Sequence, residues 1–155
     1  MSSARGMDLI LWRHAEAEPR APGLDDKDRA LTGKGARQAK RMAKWLRDAL
    51  PADARVIASP AKRTCQTAQA LERPFDRVEE IAPDASAIAL LRAAEWPHAR
   101  QAVLAVGHQP TLGEAAALMM AGAPQPWSMR KGAVWWLRST DSGVVLVTVR
   151  TPDDV

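Results

Sequence analysis

The segment Leu9-Ile10-Leu11-Trp12-Arg13-His14-Ala15-Glu16 decides the reading of this chain. Its four apolar residues form the kind of run expected of a strand covered by helices on both faces. The run stops abruptly at an arginine beside a histidine. Open α/β sheets bind ligands beyond the carboxyl ends of their strands, so this junction is a candidate site. A second run, Val103-Leu104-Ala105-Val106, ends in the same manner at Gly107-His108-Gln109-Pro110. Two of the three histidines thus arrive at strand ends.

Working outward from these runs, strands alternate with helices. Residues 8–12 read as the first strand, and the polar stretch 16–31, with Pro19, Pro22 and Gly23, reads as a loop. Thr32 can cap a following helix through its hydroxyl. The apolar positions Ala36, Ala39, Ala43, Leu46 and Leu50 then lie on one helical stripe that Pro51 ends. Residues 55–58 form a second strand. Ser59-Pro60 has the form of a helix start running to about Leu71, with Cys65 on its inward stripe. A weak third strand is expected over 77–81, a helix over 85–95, a strand over 102–106 and a helix over 110–120 ended by Gly122. Two β-rich runs, 133–138 and 144–150, flank Asp141-Ser142-Gly143 as a hairpin. Trp135 and Trp136, being adjacent in a strand, must face opposite ways and read as packing. The pattern predicts one three-layer α/β domain over 7–155, its central sheet mostly parallel and its C-terminus a hairpin. Residues 1–6 read as a disordered leader.

Three strand ends should therefore share one sheet edge: Arg13-His14, then Ser59 with Arg63 in the first turn of its helix, then Gly107-His108. Arg63 lies where free backbone N–H groups and the helix dipole already favour an anion. Gly107 removes a side chain where a ligand would approach the backbone. Two arginine forks match the oxygens of a phosphoryl group. Glu16 lies near enough in sequence to orient a histidine.

These residues carry a resemblance. Arg13-His14 after an N-terminal strand, Leu31-Thr32 with Gly35 and Gln38-Ala39, Ser59-Pro60 with Arg63 and Gln66-Thr67-Ala68, and Gly107-His108 resemble the histidine phosphatase superfamily. The shortness of the chain and the Arg-His-Ala-Glu-Ala opening are most similar to its bacterial phosphohistidine phosphatases of the SixA type. The resemblance implies a phosphoglycerate-mutase-like fold. It implies His14 as the nucleophile, Arg13 and Arg63 as ligands of the phosphoryl oxygens, and a protonated His108 as a further donor to them. No cofactor and no metal is implied, since the arginines supply the charge. Ala15 stands where many members have glycine. Many members also place a glutamate before the last motif to protonate the leaving group; Glu79, Glu80 and Asp84 are the candidates here, and Asp84, after Pro83, is the one chosen. The substrate class is a phosphorylated protein or a small phosphorylated molecule. A metabolite phosphatase or mutase on the same scaffold, and a phosphate-recognition module without catalysis, are the competing readings.

Composition narrows the rest. The chain has 155 residues, 46% apolar and 26% charged, and a net charge of +4. No apolar run approaches the roughly 20 residues a membrane span needs. The basic residues spread along helices without interleaved aromatics, which argues against a nucleic-acid partner. A lone Cys65 and a start without an apolar signal core lead us to expect a cytoplasmic protein, favoured as a monomer. His98, in Trp96-Pro97-His98, reads as a surface residue.

Overall fold

A computed structural model describes residues 6–155. The expected leader therefore lies outside the described residues, apart from Gly6. Six strands form one sheet in the order β3-β2-β4-β1-β5-β6. In chain order they are β1 (Asp8–Arg13), β2 (Arg55–Ala58), β3 (Asp76–Arg77), β4 (Val103–Gly107), β5 (Val134–Thr140) and β6 (Gly143–Arg150). β1 to β4 are mutually parallel, whereas β5 runs antiparallel to β1 and to β6. The mostly parallel α/β sheet with a terminal hairpin is as expected.

Helices cover both faces. Ile10 and Trp12 point to the face packed by Met42, Ala43 and Leu46 of α1 (Gly33–Ala49) and Ala68 of α2 (Lys62–Gln69). Leu9 and Leu11 point to the opposite face, against Leu90 of α3 (Ala87–Ala93) and Leu112, Ala115 and Ala116 of α4 (Thr111–Ala121). The four apolar residues Leu9 to Trp12 are fully buried, so the unbroken apolar run has a simple cause: both faces of the strand are core. Trp136 and Trp135 divide between the two faces in the same way.

Local signals mark most element ends. The Thr32 hydroxyl accepts the Gly35 N–H at 2.9 Å, and Ser86 caps α3 through Ala89 N–H at 3.0 Å. Gly122 closes α4 at φ +80°, a left-handed conformation that suits glycine. Three expectations need correction. The third strand holds only Asp76–Arg77, and Glu79–Ile81 turn into a 3-10 helix that buries Ile81. The second helix begins at Lys62, not at Pro60, because Ser59 continues the sheet ladder through its N–H to Val106. The third helix is shorter at both ends than 85–95.

The base of the 17–31 loop is pinned at several points. Ala17 and Leu31 form an antiparallel bridge, and Leu31 N–H donates to Gln66 Oε1 at 2.7 Å. Gly35 is buried against this base, and a Cβ there would overlap the Glu16 carbonyl oxygen. A Cβ on Gly33 would meet only the far end of Arg37 at 3.5 Å. Gly35→Ala should therefore lower stability by about 1–3 kcal/mol through overpacking. Gly33→Ala should be neutral or stabilise by up to about 1 kcal/mol through helix propensity. Urea unfolding of the two variants beside the parent chain distinguishes these outcomes.

Candidate active site

The parallel register aligns three strand ends. Arg13 is level with Gly107, and Ala58 with Val106. The ladder then runs one step past the strands: His14 N–H donates to Gly107 O at 3.2 Å and Ser59 N–H to Val106 O at 3.0 Å. The same hydrogen bonds that build the sheet thus bring positions 14, 59 and 108 to one edge. The His14 and His108 rings lie 5.3 Å apart between centroids, tilted by 60°. Arg13, His14, Arg63 and His108 line one cavity of about 200 Å³, together with Arg20, Asp26, Arg29, Asp84, Gln109 and Lys131. All five residues singled out from the sequence meet there, Asp84 at its exposed rim.

The His14 ring is held by one short contact. Its Nδ1 lies 2.7 Å from the Ala15 carbonyl oxygen. A carbonyl only accepts, so Nδ1 carries the proton and Nε2 keeps its lone pair. Burial pushes the imidazole pKa down to about 4, aided by the charges of Arg63, Arg13 and Arg29 and opposed by the Ala15 bond. The expectation of a neutral histidine holds, but desolvation outweighs the neighbouring cations as its cause.

His108 departs from expectation. Burial, the neighbouring His14 and Arg63 lower its pKa to about 3, so in the free cavity the ring is neutral. Its Nε2 lies 2.7 Å from Ser59 Oγ, which also accepts the Ala61 N–H at 3.3 Å. A dianion entering the cavity acts in the opposite direction and favours the protonated ring. Glu16 also differs from expectation: its carboxylate accepts from the Thr32 hydroxyl at 2.8 Å and orients no histidine.

The arginines are anchored at one end and open at the other. Arg13 donates through one terminal nitrogen to Met129 O at 2.7 Å. Arg63, almost wholly buried, donates to Asp26 O at 2.7 Å and to Asp26 Oδ2 at 2.9 Å. Among the described residues, the buried side-chain nitrogens without a protein partner are Arg13 Nε, Arg63 Nε and His108 Nδ1. All three belong to residues that line the cavity, and buried polar atoms without a partner are unusual in a folded chain.

Other residues quoted from the sequence brace the backbone. Thr67 Oγ1 accepts the Ala15 N–H at 3.2 Å, and Gln38 Oε1 accepts the Glu16 N–H at 3.0 Å. Gln109 uses its amide on Trp127 O and Gly113 N–H. Cys65 is buried and His98 exposed, both as expected. Sequence reasoning missed Asp26, Arg29, Arg20 and Lys131. The first three sit in a loop with no periodicity to set their direction, and nothing local sets them apart from solvated charges.

Comparison with known proteins agrees with this geometry. The family model of the histidine phosphatase superfamily (branch 1) matches residues 9–88. The chain belongs to that superfamily. An uncharacterized protein of Picosynechococcus sp. strain PCC 7002 is 34% identical over 92% of this chain and 96% of its own. A crystal structure assigned as the phosphohistidine phosphatase SixA of Agrobacterium tumefaciens superposes with a TM-score of 0.78 at 27% identity, covering 94% of this chain and 98% of that one. A second structure so assigned, from Nakamurella multipartitia, gives 0.76 at 28% identity over 97% and 99% of the two chains. The chain is a histidine-type phosphatase with a SixA-like fold that acts on phosphorylated substrates. Among the described residues no helix is long and apolar enough to cross a membrane.

The histidine environments carry a pH signature. In the unfolded chain both rings titrate near about 6.5. In the folded chain they titrate at about 4 and about 3. Between these values the unfolded state binds more protons, so stability rises with pH and falls as pH drops from about 6.5 towards 4. Urea-unfolding free energies at pH 7 and pH 4.5 should show this decline in the parent chain and a smaller one in His108→Asn.

Proposed function

We propose that this chain hydrolyses protein phosphohistidine, without a metal, through a covalent phosphoryl group on Nε2 of His14. The observation that carries the proposal is the bond from His14 Nδ1 to the Ala15 carbonyl in a ring kept neutral at about pH 4 and above. Nε2 attacks phosphorus in line, and the bond from phosphorus to the substrate nitrogen breaks with its electron pair going to that nitrogen. A substrate imidazole protonated on its other nitrogen then departs neutral. His14 retains its Nδ1 proton throughout, so phospho-His14 is a phosphoimidazolium. Water attacks it, the Nε2–P bond returns its pair to the ring, and both water protons stay on the product, which leaves as dihydrogen phosphate. Neither half-reaction requires a proton to pass through the protein.

Arg13, Arg63 and His108 are assigned to the three equatorial oxygens, where charge spreads in the transition state. Support for a phosphohistidine substrate comes from size and from acids. The cavity, about 200 Å³, accepts a phosphoryl group with its attached atoms, below the range of about 300–1,000 Å³ common for whole small-molecule ligands. Of the two carboxylates lining it, Asp26 is engaged by arginines and Asp84 is exposed. A phosphoramidate needs little help from an acid, because its leaving nitrogen can be protonated beforehand. The lone Cys65, which has no second cysteine to pair with, favours a reducing cytoplasm as the compartment.

A metabolite phosphatase is the second reading, and Asp84 is the observation in its favour. Asp84 holds a left-handed backbone at φ +70°, a conformation that non-glycine residues rarely adopt. The following residue is tied to α4 by a 2.6 Å bond from the Thr111 hydroxyl to Ala85 O. A carboxylate so held could protonate an alkoxide.

His14→Ala should abolish turnover of an aryl phosphate in the presence of chelator. Brief exposure of the parent chain to labelled substrate should leave an acid-labile, base-stable label that His14→Ala lacks. Its absence from the parent chain would favour a recognition module instead. Arg13→Ala and Arg63→Ala should each lower kcat by about 10²–10³-fold. Asp84→Asn separates the two substrate readings. Phosphohistidine-protein hydrolysis within about threefold of the parent chain supports the first, and a loss of about 10²-fold or more on every substrate promotes the second.

A further inference from the structure

A carboxylate in a phosphate cavity opposes the ligand it surrounds. Asp26 is such a group, and its contacts account for its presence. Its Oδ2 accepts from Arg63 at 2.9 Å, its carbonyl from the same guanidinium at 2.7 Å, and its Oδ1 from Arg29 Nε at 2.9 Å. Arg20 approaches the same carboxylate at 3.7 Å. Arg29 is fixed at its other end by donating to Glu18 O at 2.7 Å. One residue thus joins the buried Arg63 of α2 to two cations of the 17–31 loop.

We infer that Asp26 is a positioning residue for phosphoryl transfer, holding Arg63 and Arg29 in one rigid assembly on the cavity wall and acting on the reaction through them. This inference rests on the phospho-His14 reading and assigns the loop a part in it. Two alternatives explain the contacts less well. A tether for the loop is redundant, because Ala17, Leu31, Thr32 and Gln66 already pin its base. A plain surface ion pair would leave its partners mobile, yet the Arg63 side chain is only 4% exposed and that of Arg29 15%.

The physical gain is preorganisation. A free arginine side chain gives up rotamer entropy when it is fixed. Asp26 imposes that order before substrate arrives, and Arg63 keeps its buried Nε–H unclaimed by protein. The counter-charge weakens ground-state binding of the anion, whereas aligned donors favour the transition state, in which their geometry matters most. A positioning role therefore predicts a loss of kcat without any weakening of ground-state binding.

Asp26→Asn retains the main-chain carbonyl and one side-chain acceptor while removing the charge. With p-nitrophenyl phosphate as substrate, its kcat should fall about tenfold or more, since misplaced groups cost rate steeply. Its KM and its inhibition constant for inorganic phosphate should stay level or fall, as repulsion of the anion is relieved. Arg29→Lys, which keeps the charge but not the fork, should also lose kcat. In an Arg63→Ala background, Asp26→Asn should change kcat by less than about twofold, the coupling expected when one residue acts through another. An unchanged kcat, a loss carried by a raised KM, or equal losses in both backgrounds would overturn the inference. Labelling of the parent chain is the separate control. Without label on His14 the phosphoenzyme reading fails, whereas a labelled parent chain with a fully active Asp26→Asn sinks only the role of Asp26.

Discussion

The chemistry proposed for this molecule depends on one hydrogen bond, from the Nδ1–H of His14 to the carbonyl of the next residue. It spans a single residue, so it needs no distant partner to be brought into place. What it does need is a backbone held still. β1 supplies this by pairing on both sides, with β4 parallel and β5 antiparallel. Beyond its last residue, the His14 N–H binds Gly107 and the His14 carbonyl accepts from Gly132. Ala15 itself is buried and held by Thr67. With the tautomer settled in this way, burial can depress the pKa without removing the lone pair that attacks phosphorus.

The electrostatic design sets two costs against each other. Burying an imidazole disfavours its cation, and burying arginines disfavours theirs, as the lowered values of Arg13 and Arg63 record. The arginines nonetheless stay charged at any ordinary pH, while the histidines do not. A single environment therefore holds neutral imidazoles beside cationic guanidiniums through the intrinsic basicity of the side chains. Ser59 takes part without charge, joining the ring of His108 to the backbone of the α2 entrance.

Much of this was legible in the residues themselves. The uninterrupted apolar run before Arg13 required a strand covered on both faces, and parallel pairing then obliged the other strand ends to meet it. Boundaries went astray where tertiary demands outweighed local signals. Ser59-Pro60 has every mark of a helix start, but the sheet and His108 claim Ser59, and the helix begins later. Charge states were harder still. A protonated His108 follows from the ligand it is to bind, whereas the free cavity favours the neutral ring. Asp26 and Arg29 stayed hidden because a long polar loop carries no period from which direction can be read, and their role arises only from a neighbour 37 positions away.

The 17–31 loop closes at a neck where Ala17 bridges Leu31, and it reaches Arg63 on the cavity wall through both the carboxylate and the main-chain carbonyl of Asp26. The reacting groups, by contrast, spring from strand ends and the start of α2. The loop is thus coupled to the reacting groups chiefly through Asp26 and Arg29. A lineage of such enzymes that kept those two residues could exchange the rest of the loop and acquire new clients.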